Sequence, residues 1–267
     1  MSDLAARRVG VADTVTLEVD GALATLRLSR IHGNAINEEL VEDLGAACRE
    51  AAADPRIRGV LLAGAGKLFS PGLDLQDLFD LGRPAMERFL DRFSAVVLAL
   101  YEFPKPLVAR IHGHAVAGGC VLALTADWRV LGEGAMVGLN ELRVGLPFPH
   151  GVATILREAV PAPRIAEVAL FGRNYRGEEA AAVGLVHEVR PAAALDAHCR
   201  ARLEELAGKD PRAFAVGKRY LRASTVERIR AHESRLAHEF LDSWFSAETR
   251  ERLRTVVAEL RGPGRGA

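Results

Sequence analysis

Between residues 14 and 30 the stretch TVTLEVDGALATLRLSR alternates apolar and polar positions on either side of Asp20-Gly21. That period belongs to strands, and Asp-Gly between two such runs predicts a hairpin. The period then changes. Ile36, Leu40, Leu44, Cys48 and Ala51 recur at helical spacing, with a start among residues 34–37, where two asparagines can cap it. GVLLAG (59–64) predicts a buried strand running into a glycine turn. Met86, Phe89, Leu90, Phe93, Val97 and Leu100 mark a second amphipathic helix, stopped by Pro104. LVARI (107–111), WRVLG (128–132) and AMVGL (135–139) predict further short strands. Beyond Pro147 the pattern is helical almost throughout.

Strands alternating with helices to about residue 140, then mainly helices, predict an α/β core with a helical C-terminal part. The expected division is a core over 1–200 and a helical extension over 201–267, involved in oligomer packing or in covering an active site. Leu236, Phe240, Trp244 and Phe245 give the last helices apolar faces that need cover, from their own core or from a neighbouring subunit. No internal repeat is present, and the closing GPGRGA reads as a frayed end.

Composition narrows the function classes. The 267 residues carry 35 basic and 35 acidic side chains, so no net charge draws the chain to nucleic acid. Cys48, Cys120 and Cys199 are far apart and lack metal-ligand spacing, as free thiols of a reducing cytosol would be. The N-terminal MSDLAARRVG has no apolar segment of signal-peptide type, and Asp3 speaks against a transit peptide. The longest nearly apolar run, 115–126, is too short to span a bilayer. The expectation is a cytoplasmic protein with neither a membrane nor a nucleic-acid partner.

Three stretches can carry chemistry. In FSPGLDL (69–75), Pro71 and Gly72 force a turn, and Asp74 can cap the helix that follows. GHAVAGGCVLALTAD (113–127) crowds small residues at 117–119 into a helix start, yet is neither a dinucleotide fingerprint nor a P-loop. In GLNELRVGLPFP (138–149), Glu141 stands among apolar neighbours. Taken singly, these are a structural turn, a close helix–strand contact and a surface carboxylate. His32, His112 and His114 offer no helical ligand pair, so no metal site is expected, and Ser70 lacks the surroundings of a nucleophile elbow.

Together, in order and spacing, the three stretches resemble the enoyl-CoA hydratase/isomerase (crotonase) superfamily across nearly the whole chain. The resemblance implies a crotonase-like β/α spiral core with a helical C-terminal extension, assembled as a homotrimer or homohexamer. It implies an acyl-CoA thioester as substrate and no metal or redox cofactor. The backbone N–H groups of Leu73 and Gly118 would hold the thioester oxygen as it gains charge, helped by the positive end of the helix starting near Gly118. Ser70, Gly72, Asp74, Gly119 and Phe148 would contact substrate, and Arg30 is a candidate for the coenzyme phosphates.

Family hydratases carry two glutamates, at the positions held here by Val121 and Glu141. Adding water needs both; moving a double bond needs one base that takes a proton from C2 and returns it at C4. With Val121 unable to titrate, the chain is most similar to the Δ3,Δ2-enoyl-CoA isomerase branch, with Glu141 as catalytic residue. Pro71, in place of the usual small Ala, and RVGLPFPHG, in place of a glycine-rich turn, depart from the hydratases. Other single-carboxylate acyl-CoA reactions (decarboxylation, thioester hydrolysis), enoyl-CoA hydration and a non-catalytic acyl-CoA binder stay open.

Overall fold

In the computed structural model, which describes residues 7–11 and 13–262, the chain enters through β1 (Arg7–Val11), antiparallel to β2 (Val15–Asp20). The frayed end read from GPGRGA and most of the N-terminal stretch lie outside the described residues. As the alternation predicts, β2 turns back into β3 (Leu23–Leu28), with Asp20 facing Leu23 across the turn and Gly21 at φ +61°. From β3 onward the sheet is parallel. It takes up β4 (Gly59–Gly64) and β5 (Leu107–Ile111), whose apolar sequences suit strands buried on both faces.

The crossovers carry the helices. α1 (Glu38–Ala53) starts at Asn37, whose side chain accepts the Leu40 N–H, and it buries Leu40, Leu44, Cys48 and Ala51. After β4 come the one-turn α2 (Leu75–Leu78) and α3 (Arg83–Tyr101), which buries the predicted Met86, Phe89, Leu90, Phe93, Val97 and Leu100. After β5 come β6 (Ala115–Val116), α4 (Gly118–Leu124), β7 (Trp128–Gly132) and β8 (Met136–Gly138). A 3₁₀ turn (Glu141–Val144) leads to α5 (His150–Ala159), α6 (Ile165–Leu170), β9 (Tyr175–Arg176), α7 (Gly177–Ala182) and β10 (Glu188–Arg190). Then follow α8 (Ala192–Ala207), α9 (Pro211–Trp244) and α10 (Ala247–Arg261).

Seven strands form the main sheet in the order β1-β2-β3-β4-β5-β7-β10, and β6-β8-β9 form a second, three-stranded one. This is an α/β spiral core with helices at its C-terminal end. β1, β6, β9 and β10 escape the sequence pattern. The last two contradict an almost wholly helical second half, because strands of two or three residues, such as Glu188-Val189-Arg190, are too short to show a period. AMVGL does contain a strand, but in the second sheet. α8 runs unbroken through residue 200 and packs Leu195, Cys199 and Leu203 on Leu23, Val108 and Val130 of the main sheet.

The C-terminal helices find their cover within the chain. Trp244 and Phe240 are buried in the main core, and Phe245 packs against it. α9 is also tied to the start of β7: Lys218 and Arg222 both donate to Asp127, at 2.7 and 2.8 Å, and Asp127 accepts the Leu107 N–H. A half-buried carboxylate so fully paired fixes where α9 lies.

Candidate active site

Two turns meet at the end of the sheet. Ile36 donates to the Gly72 carbonyl and accepts from the Asp74 N–H, both at 2.8 Å, so Leu73 between them is pinned. The second turn precedes α4. Val116 donates to Ser70 O at 3.1 Å and Ala117 to Gly138 O at 2.9 Å, which locks this turn to the first one and to β8 of the second sheet. Ala117 takes φ +48°, a conformation costly for a residue with a side chain, of the kind that persists where surroundings over-determine it.

The turns approach closely because Gly72, at φ +95°, has no side chain. A Cβ there would lie 2.8 Å from Ala117 Cβ and 3.0 Å from the Gly118 nitrogen. Among the described residues, neither the Leu73 nor the Gly118 N–H has a backbone acceptor, and Gly118, as the first residue of its helix, has none available within it. A methyl built on Gly118 would lie 3.6 Å from the Leu73 nitrogen, so the two free donors are neighbours.

Both residues line a cavity of about 470 Å³. Glu141 lines it as well. Its Oε2 is buried without a hydrogen-bond partner, and burial pushes its carboxyl up to about 7, although the N–H groups of Glu141 and Asn140 pull the other way. An unpaired buried carboxylate oxygen beside a cavity has a reason to be there when a ligand supplies its partner. Val121 is buried in the same lining. The only other carboxylate among the described lining residues is Asp74, and its oxygens are occupied. It accepts the Gln76 and Asp77 N–H groups and pairs with Arg30 at 2.5 Å.

Several expected substrate contacts are structural instead. Ser70 is fully buried; its hydroxyl donates to Asn34 O at 2.8 Å and accepts the Gly72 N–H. Gly119 lies outside the lining, and a Cβ there would meet Ser70 O at 2.1 Å, so it serves close packing. Gly72 acts through clearance. Phe148 packs partly buried on the core and is not in the lining either. Asp74 borders the cavity but braces the turn. Arg30 donates to Asp74, Asp77 and Ala35 O with its guanidinium buried, so it is not free to meet a coenzyme phosphate. His32 does line the mouth, whereas His114 accepts the Met136 N–H at 3.3 Å. No metal-binding cluster occurs among the described residues.

The expected cover of the site by the C-terminal extension assigned that role to none of the residues that provide it. Phe240, Val256 and Leu260 line the cavity, and α10 grips both walls. Thr249 donates to Gly145 O at 3.2 Å, just beyond the Glu141 turn. Arg250 donates to Phe79 O at 2.6 Å and stacks on the Phe79 ring, just beyond α2. The only prior signal was the apolar face of these helices.

Comparison with known proteins shows the family and the fold. Residues 18–263 match the family described as enoyl-CoA hydratase/isomerase. A Mycobacterium tuberculosis protein named "probable enoyl-CoA hydratase EchA17" is 34% identical over 227 residues, which is 83% of this chain and 86% of that one. Among solved structures, human mitochondrial delta3-delta2-enoyl-CoA isomerase superposes with a TM-score of 0.90 at 23% identity, covering 93% of this chain and 98% of its own. Probable enoyl-CoA hydratase EchA3 of M. tuberculosis superposes at 0.80 with 26% identity, covering 85% of this chain and 96% of its own.

Proposed function

This chain belongs to the enoyl-CoA hydratase/isomerase family, and we propose that within it the protein is an isomerase, moving the double bond of a 3-enoyl-CoA to the trans-2 position. The observation that carries the reading is the lone unpaired carboxylate among the described residues of the cavity lining. Glu141 faces the cavity with an unpaired oxygen, and the second acid of the hydratases is replaced by buried Val121.

The reaction balances with these groups alone. The Glu141 carboxylate takes a proton from C2, and the C–H electron pair moves into the thioester to give a dienolate. The Leu73 and Gly118 N–H groups stabilise the oxygen that gains charge, an effect that costs no reorganisation because both donors are already fixed. The protonated Glu141 then delivers its proton to C4, which closes the C2–C3 double bond. A carboxyl near 7 can accept and return a proton at neutral pH, which an ordinary exposed glutamate does poorly.

Hydration is the second reading, favoured by the hydratase name of the 34% relative. It needs a further group to hold and activate water, and Asp74 is committed to Arg30 and two backbone donors. The test is turnover of trans-3-hexenoyl-CoA, followed as the conjugated 2-enoyl thioester appears. Conversion by the purified protein, lost in Glu141→Gln, is expected. No conversion, or conversion that survives in Glu141→Gln, overturns the proposal.

A further inference from the structure

The cavity has a closed end and an open end. His32, Gln76, Arg143 and Leu260 stand exposed at its rim, whereas Leu90, Phe93, Val121, Leu146, Val152 and Phe240 are all buried and apolar. Leu73, Gly118 and Glu141 also line it. If a thioester oxygen sits on the two donors, the polar coenzyme requires the wet rim and the acyl chain is left with the dry end.

That end is closed by a wall one side chain thick. Behind it lies a second void of about 10 Å³, and the two spaces share Phe93, Pro149 and Val152 in their linings. The rear space has room for at most about one water but opens outward, so the wall is held by its packing partners rather than by enclosure. Phe93 is also backed from its own helix, where its ring lies parallel to buried Phe89 at 6.2 Å. Val152 is fixed differently. Glu233 of α9 accepts the Gly151 N–H at 2.5 Å and the Ser94 hydroxyl at 2.9 Å, clamping the start of α5 to α9 and α3 on the far side of the wall.

We propose that Phe93 is the specificity-determining residue for acyl-chain length: its ring ends the acyl arm, and a chain that reaches it gains nothing from further methylenes. This rests on the acyl-thioester reading above. Each methylene buried short of the ring raises affinity roughly fourfold. The first one beyond it must displace a buried ring stacked on Phe89, and affinity falls.

The experiment is calorimetric titration of saturated straight-chain acyl-CoAs, from butyryl to palmitoyl, into wild type, Phe93→Ala and Phe93→Trp. Parallel kcat/KM values are taken on the matching 3-enoyl-CoAs. Wild type should show affinity rising with length to a break. Phe93→Ala should move the break to longer chains and raise the long-to-short affinity ratio roughly tenfold, within the range one pocket methylene commands. Phe93→Trp should move it to shorter ones. A break that stays in place, or one common loss at every length, overturns the assignment. Should Phe93→Ala not fold, Phe93→Leu and Val152→Ala open the same wall by less and carry the same criterion. Because saturated thioesters do not react, a length break without isomerisation would sink the isomerase reading and leave this one standing. Absence of any acyl-CoA binding would sink both.

Discussion

Leu73 and Gly118 owe their place to the main chain, on turns locked by Ile36, Ser70 and Gly138 at the end of the parallel sheet. Glu141, lining the same cavity, stands at the start of a 3₁₀ turn that ends at left-handed Gly145 and is held by Thr249 of α10. One wall is built of backbone groups whose donors exist whatever the side chains are. The other depends on one side chain, one burial and one distant helix. The lesson is a division of labour in the proposed reaction: the charge-stabilising wall is rigid and needs glycines for clearance, and the proton-moving wall rests on one tunable side chain.

The most severe break of that division is Glu141→Gln, which should lower kcat by roughly 10²–10⁴-fold, the range for loss of a general base. The same residue sets the pH response. In wild type, kcat/KM should rise with pH and level off above about 7 as Glu141 ionises. Stability should move the other way. Because the folded value lies above the usual 4.5, the folded state holds this proton more tightly; that contribution is full below about 4.5 and lost as pH rises through about 7. Glu141→Gln should therefore resist urea better than wild type at pH 8, by about 3 kcal/mol, with the gap closing toward pH 4. Equal stabilities at pH 8 would mean the carboxylate is not desolvated.

Next in size are the two adjacent glycines, which separate donor from scaffold. Gly118→Ala places a methyl 3.1 Å from the flexible end of Ile36 and beside the Leu73 nitrogen. It should keep most of the stability while kcat falls by roughly 10²-fold, the lower range for a lost oxyanion donor. Gly119→Ala drives a methyl into the Ser70 carbonyl and should depress Tm sharply before activity can be compared. Equal effects from both on Tm would erase the distinction.

The smallest effect sharpens the other wall. Thr249→Val removes one hydrogen bond to Gly145 O, worth about 0.5–1.5 kcal/mol. It should slow isomerisation less than tenfold while shifting the pH midpoint of kcat/KM. A change in Tm without any shift in that midpoint would leave Thr249 as packing alone.

What the sequence made legible follows the reach of each signal. The hairpin, α1 and α3 declare themselves by period, the parallel strands by short apolar runs, and Leu73, Gly118 and Glu141 by short motifs whose order matches a family. Long-range partners carry no such mark. Arg30 reads as a free cation until the fold sets it against Asp74, 44 positions on, and Thr249 meets Gly145 across 104. Ser70 and Gly119 sit inside the motifs yet face the packing between turns, because a motif records which residues recur and not which way each one points. Phe240, Val256 and Leu260 reach the cavity only because α9 and α10 fold back over their own core.

The account turns on one missing acid, and one comparison tests it most directly. The same preparation of wild-type protein is given trans-3-hexenoyl-CoA and crotonyl-CoA in separate assays, and kcat/KM is measured for isomerisation of the first and hydration of the second. With Val121 facing the cavity and Asp74 held by Arg30, isomerisation should exceed hydration by at least roughly 10²-fold, the contribution of one positioned acid or base. Comparable values would contradict the single-carboxylate account, since some group other than Glu141 would then be activating water.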